Sequence, residues 1–490
     1  MNIRAICNVA GILLALLSAL MLLPMGVSLY FDNPPIEGYL TESSAFIITA
    51  LCSLVLGVVM WKFFPSGVEQ LRDREGFSIV AISWLFIALI GALPFTLTGV
   101  CPEFIDALFE SMSGFTTTGA SVLREIDTLP EGILFWRNLM QWLGGMGIIM
   151  LSLAIFPALG IGSFHLFKAE IPGGATVERM EPRLAETAKI LWKTYLVLTL
   201  LEIFLLRAFG LSYFDAVCHT FSTVATGGFS LYSKSIGHYD NAYIEGIIFI
   251  FMFLGGINFA LHFQLIRGNV REVFNNPEFR FYCSMLAIAI LLASWGLIRA
   301  NPDVEVTRSI RSAAFTVMSI NTTTGFATDD FNLWPDYLKV ILLCLMLVGG
   351  CSGSTSGSLK AIRFIVLLKI IARELKKLIH PRAIMHVKVA GKTLDPDKLT
   401  NTVALTSLFM GFAILNCIFL SMLGVDMQTS VSASVACLFN IGPGLGQVGP
   451  MGNYADIPAL GKSVLIGYML MGRLEIYGII LLFLPQAWRK

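Results

Sequence analysis

Charge is what this chain has least of: Asp, Glu, Lys and Arg make up 14% of its 490 residues, and the net charge is +1. A soluble protein of this length needs far more charge to cover its surface. The near-neutral balance also argues against nucleic acid as a partner. Metal and disulfide patterns are missing as well. Nine cysteines occur with no CxxC spacing, mostly inside apolar runs, where they read as small buried hydrophobes. The six histidines form no ligand pair at helical spacing, and HExxH and GxSxG do not occur, which argues against an enzyme. Hydrophobic residues instead reach 56% and the mean hydropathy is +0.74, so most of the chain belongs in a bilayer.

A helix needs about 20 apolar residues to cross the hydrocarbon core. The 27 uncharged residues from Ala5 to Phe31 are longer than a signal-peptide core and read as a first spanning helix. A second span follows at 40–64. Four modules come next, each a span, a re-entrant segment and a span. The expected divisions are 1–70 for two opening helices, then 71–165, 166–270, 271–392 and 393–490, the third with a broken last span (336–379) and a basic inner segment. Lys62, Arg72 and Arg74, then Lys168 to Lys193, Arg267 to Arg280 and Lys360 to Lys392 lie in alternate connections, while Glu103, Asp106, Glu110, Glu125, Asp127 and Glu131 share an opposite one. By the positive-inside rule the basic connections and both termini face the cytoplasm, and the acidic ones form an outer vestibule.

Each re-entrant segment ends in a small, hydroxyl-rich turn: Ser111–Gly119, Thr220–Gly227, Ser319–Gly325 and Phe439–Gly442. The central glycines at 119, 227, 325 and 442 are 108, 98 and 117 residues apart. Non-helical backbone at membrane depth is tolerated only inside protein or beside a water-filled cavity. Glycine permits backbone conformations closed to other residues, Ser and Thr add hydroxyl oxygens, and helix C-termini aimed inward favour a cation. Four such turns around one axis would replace the water shell of a bare monovalent cation, most readily potassium. A symporter coupled to H+ or Na+ is the alternative. Coupling calls for a titratable group at the site, and the four turns contain none.

Two features lie beyond the turns. The run Gly349, Gly350, Cys351, Ser352, Gly353, Ser354, Thr355, Ser356 and Gly357 cannot be a stable lipid-facing helix. It reads either as a small-residue packing stretch or as a movable loop beneath the turns. Its lack of a Gly-Lys-Ser/Thr pattern excludes a phosphate cradle. Arg473, deep in the last span, is a charge that must face water or a partner. A cavity-facing Arg473 would repel a cation below the turns. Glu475 is two residues on and points elsewhere, which leaves distant carboxylates such as Glu202 or Glu245 as partners.

The four turns, together with Gln141–Ile149, Gly349–Gly357, Asn440–Gly446 and Gly472–Ile476, resemble the TrkH-type membrane subunit of the Trk/Ktr/HKT superfamily of potassium transporters over the full length. The resemblance implies an all-α polytopic fold of two helices plus four helix–pore loop–helix repeats around a pseudo-fourfold pore in the bacterial inner membrane. It implies a K+ filter at Thr117, Thr118 and Gly119; Ala225, Thr226 and Gly227; Thr323, Thr324 and Gly325; and Asn440, Ile441 and Gly442. It implies a gating role for 349–357. It further implies K+ as the bound substrate without an organic cofactor, homodimers, and a cytosolic nucleotide-binding regulatory subunit of the TrkA type. Each turn has one aligned glycine and no following tyrosine, so the expected selectivity is moderate, K+ and Rb+ over Na+. The fourth turn departs furthest, with Asn440 before and Pro443 after its centre.

Overall fold

The computed structural model describes residues 3–64, 73–147, 181–383 and 385–488. The expected inner segment 162–193 lies outside these up to residue 180, as do Arg72 and the end of the first module's last span. Five helices of the described residues are long and apolar enough to cross a membrane: Ile3–Phe31, Glu42–Phe63, Gly76–Leu97, Pro277–Ala300 and Pro396–Met422. The first two cross at paired glycines, where a Cβ on Gly11 would stand 2.6 Å from the Gly57 carbonyl oxygen. This is the close small-residue contact by which helices associate in lipid. Ser53 Oγ donates to Leu14 O at 2.8 Å and ties the crossing.

After these come four successions of one kind. The long helices Asp73–Leu97, Glu181–Ala208, Pro277–Ala300 and Pro396–Met422 are each followed by a short one, Phe104–Phe115, Tyr213–Val224, Val306–Asn321 and Met427–Leu438. A turn then leads to a further helix, Glu131–Trp142, Ala242–Gly255, Asp336–Leu347 and Ala459–Arg473. Two of the four short helices start at a side-chain cap: Ser212 accepts from the Asp215 N–H and Asp426 from the Thr429 N–H, satisfying donors that would otherwise be orphaned. They are buried chiefly toward their C-terminal ends; in Phe104–Phe115 every residue from Phe109 to Phe115 is buried, and in Val306–Asn321 every residue from Phe315 to Asn321.

The sequence suggests one broken last span, and the structure breaks more. In the third succession the chain leaves helix at Leu347 and resumes at Ala361, as expected. In the second, Ala242–Gly255 and Phe259–Ile266 meet at 103°. Gly255-Gly256 gives up the helix there, and Asn258 caps the new one by accepting from the Ala260 N–H. In the fourth, Glu475 and Ile476 both have positive φ, 55° and 60°, although neither is a residue that favours it. The first passes into a π-helix at Leu143–Gly147. The fold is also not wholly helical: Lys388–Val389 pairs antiparallel with Lys392–Thr393 about a turn in which Ala390 and Gly391 have positive φ, the geometry a two-residue hairpin requires.

Candidate functional site

The four short helices end alike. Thr116, Ala225, Thr322 and Phe439 follow the last helical residue with φ between −75° and −98° and ψ near zero. The next residue is left-handed in every case: Thr117 (54°), Thr226 (53°), Thr323 (58°) and Asn440 (54°). Two residues further stands a glycine of positive φ: Gly119 (81°), Gly228 (80°), Gly325 (83°) and Gly442 (95°). Alternating handedness along a chain turns successive peptide groups to the same side. The second turn is therefore Thr226, Gly227 and Gly228, one residue later than the sequence-based assignment, with Ala225 in the position of Thr116 and Thr322. Adjacent glycines at 227 and 228 hide the register in the sequence, and backbone handedness resolves it.

The turns meet. A Cβ placed on Gly119 would collide with the Gly227 carbonyl oxygen, one on Gly228 with that of Thr324, and one on Gly325 with that of Ile441. One on Gly442 would stand 2.7 Å from the carbonyl oxygen of Thr118. Each glycine lets its turn approach the next, and the fourth returns to the first, closing a circuit. On one side of this circuit Gly119, Gly228, Gly325 and Gly442 line a cavity of about 80 Å³ together with Phe229, Pro443 and Tyr454.

Behind the circuit lie groups that the sequence reading gives no role or a different one. Glu110, expected in an acidic vestibule, is fully buried; its carboxylate meets Arg137 Nε at 2.8 Å, with side-chain exposures of 0% and 1%. Glu110 also accepts from the Val122 N–H at 3.0 Å. Arg137 donates to Ser230 O at 3.1 Å and lies over the Phe229 ring. A charge pair this deep survives only when its remaining hydrogen-bonding capacity is met. Gln141 Nε2 donates to Gly227 O at 2.7 Å while its Oε1 accepts from the Phe229 N–H. The signal available in the sequence is Arg137, Asn138 and Gln141, three polar residues close together in a helix that is apolar elsewhere after Glu131.

On the other side of the circuit sits Gly349–Gly357. It is extensively bonded: Thr355 Oγ1 donates to Val224 O and Gly255 O, both at 3.1 Å, and the Gly357 N–H donates to Thr323 Oγ1 at 2.6 Å. Lys360 is buried and its Nζ donates to Ser356 O. One carboxylate oxygen of Glu278, at the start of helix Pro277–Ala300, accepts from the N–H groups of Ser352 (2.7 Å) and Ile362 (3.1 Å), so it holds both flanks of the loop.

Arg473 joins the two regions. It donates to Thr117 Oγ1 (3.0 Å), Thr355 O (3.1 Å) and the carbonyls of Gly144 and Gly145 (2.7 Å each). Of the distant carboxylates offered as its partner, Glu245 is paired with Arg311 at 3.0 Å. Glu475 faces another way, as its spacing suggests, and pairs with Arg363.

Long apolar helices around a buried interior rich in carbonyl and hydroxyl oxygens define a helical membrane protein built to receive a polar species. Comparison with known proteins narrows the class. A family model described as TrkH, cation transport protein, matches residues 42–490. The "Trk system potassium uptake protein TrkH" of Halomonas elongata is 41% identical, and that of Escherichia coli K12 40%, each over 100% of both chains. The crystal structure of the potassium transporter TrkH from Vibrio parahaemolyticus superposes with a TM-score of 0.88 at 37% identity, covering 100% of both chains. The chain belongs to the TrkH family, whose members are cation transporters and not enzymes.

Proposed function

We propose that this protein takes up potassium across the cytoplasmic membrane through a gated pore, moderately selective for K+ and Rb+ over Na+. Potassium uptake is what the names of its full-length relatives state of those proteins. The pore itself is formed by four modules, 71–165, 166–270, 271–392 and 393–490, around a pseudo-fourfold axis, with 1–70 packed outside. Its filter consists of Thr117, Thr118 and Gly119; Thr226, Gly227 and Gly228; Thr323, Thr324 and Gly325; and Asn440, Ile441 and Gly442. Their carbonyl oxygens stand in for hydration water. The loop 349–357 is the gate. Arg473 is the charge that limits how long an ion dwells beneath the filter. Both termini face the cytoplasm, the protein works as a homodimer, and the basic inner segment 360–392 docks a cytosolic nucleotide-binding subunit of the TrkA type.

The observation that carries this reading is the closed circuit of glycines and neighbouring carbonyls: four sequence-distant turns share one centre. The test is cation flux in liposomes with Gly119→Ser and Gly442→Ser. Both glycines have positive φ and no room for a side chain, so each substitution deforms the ring. The expected result is a K+/Na+ flux ratio lowered about tenfold or more, the equivalent of about 1.4 kcal/mol in relative barrier height. Folded variants with an unchanged ratio would remove the filter from these turns.

A further inference from the structure

We propose that Tyr454 is a positioning residue that sets ion specificity, its hydroxyl holding the Gly442 carbonyl at the edge of the ring; this rests on the reading of the four turns as the filter. The first and third turns brace themselves. Thr116 and Thr118 share a hydroxyl–hydroxyl bond of 2.8 Å, and Thr322 and Thr324 another of 2.8 Å. In the fourth turn the same two positions hold Phe439 and Ile441, which offer no side-chain hydrogen bond. The approach between turns is also loosest here: the 2.7 Å between a Cβ on Gly442 and Thr118 O exceeds the corresponding closest distances at Gly119, Gly228 and Gly325.

Two side chains, one within the turn and one outside it, supply what the fourth turn lacks. Asn440 Nδ2 donates to Thr118 Oγ1 at 2.9 Å. Tyr454 Oη donates to Gly442 O at 2.7 Å. Tyr454 is itself firmly placed: it is 2% exposed, its ring centroid lies 5.3 Å from that of Phe109, and its N–H donates to Ser121 O at 2.8 Å. It thus bridges the fourth turn and the segment just after the first, across the loosest junction, and it borders the cavity lined by the four glycines. A carbonyl oxygen has two lone pairs. One accepts the tyrosine hydrogen bond, and the other remains for an ion. Sodium is smaller than potassium and is favoured when ligands can draw inward. A carbonyl tethered outward by a buried phenol resists that collapse on its quarter of the ring.

Tyr454→Phe removes the hydroxyl while keeping the ring against Phe109 and the backbone bond to Ser121. The experiment measures K+ and Na+ flux separately in liposomes carrying the full-length protein, together with the thermal unfolding midpoint. The expected result is a K+/Na+ flux ratio lowered about threefold to tenfold, as loss of one buried hydrogen bond predicts. Should Gly442→Ser lower the ratio while Tyr454→Phe leaves it unchanged, the filter reading stands and the role of Tyr454 falls. Should neither change it, the filter reading itself fails. A drop in midpoint with an unchanged ratio also overturns the proposal, since that is what mere packing would give.

Discussion

The turns above and the loop below are made of the same residues, Gly, Ser and Thr, yet they are held in different ways. In the turns each glycine abuts a carbonyl of the next turn, and the surrounding groups, among them Gln141, Arg137 and Tyr454, grip the backbone from behind. No turn can move without displacing its neighbours. Gly349–Gly357 belongs to one segment only, and several of its anchors are single side chains on other elements: Glu278, Thr323 and Arg473. Small-residue sequence therefore specifies neither rigidity nor motion. What differs is the partner set: each turn abuts another turn of its own kind, whereas the loop is bonded to several unlike elements.

The largest expected effect breaks the rigid side. Arg137→Leu leaves Glu110 buried without its cation, and removing half of a buried pair costs about 3–5 kcal/mol. The Val122 N–H keeps its acceptor, but Ser230 O loses the Arg137 donor. The measurable outcome is a markedly lower unfolding midpoint in detergent and a low yield of folded protein. A midpoint equal to that of the parent would mean that the pair contributes nothing to the grip behind the turns.

Loosening the other side should act on flux instead of folding. Glu278→Ala leaves the N–H groups of Ser352 and Ile362 without their acceptor; both residues are half-buried, so water partly replaces it and each lost bond costs about 0.5–1 kcal/mol. On the proposal that the loop is the gate, that cost falls on its closed state, so basal K+ flux without any regulatory subunit should rise about tenfold. Glu278→Gln retains an acceptor oxygen and should raise it less. Equal or lower flux in a folded Glu278→Ala protein would mean that the loop is not held shut from this point.

Which parts of this are legible in the sequence follows from the range of the forces involved. The spans are, because apolar length is a local property, and so are three turns, because Thr-Thr-Gly and Asn-Ile-Gly each contain a single glycine to align on. The second turn is misregistered by pattern alone, since Gly227-Gly228 offers two equal choices and only backbone handedness separates them. Breaks at Gly256 and at Glu475–Ile476 escape the pattern; the two residues of the latter are neither glycine nor proline, and only the backbone shows their positive φ. Glu110 reads as solvent-facing because its partner, Arg137, lies across a loop that pattern alone cannot fold.

The smallest expected effect lies at Arg473, where the two regions touch, and it separates two accounts of that residue. As a charge beneath the ring, it repels an approaching cation. As a donor to Thr117, Thr355, Gly144 and Gly145, it fastens the loop to the turns. Arg473→Ala abolishes both functions, and each loss raises flux, so an increase of about threefold, under 1 kcal/mol of barrier, cannot distinguish them. Arg473→Lys can. Lysine keeps the charge but has no planar fork to reach several carbonyls at once. If repulsion limits the flux, the lysine variant conducts like the parent; if the fastening does, it conducts like the alanine variant. Unchanged or lower flux in a folded Arg473→Ala protein would exclude both accounts and leave the loop as the sole obstruction beneath the turns.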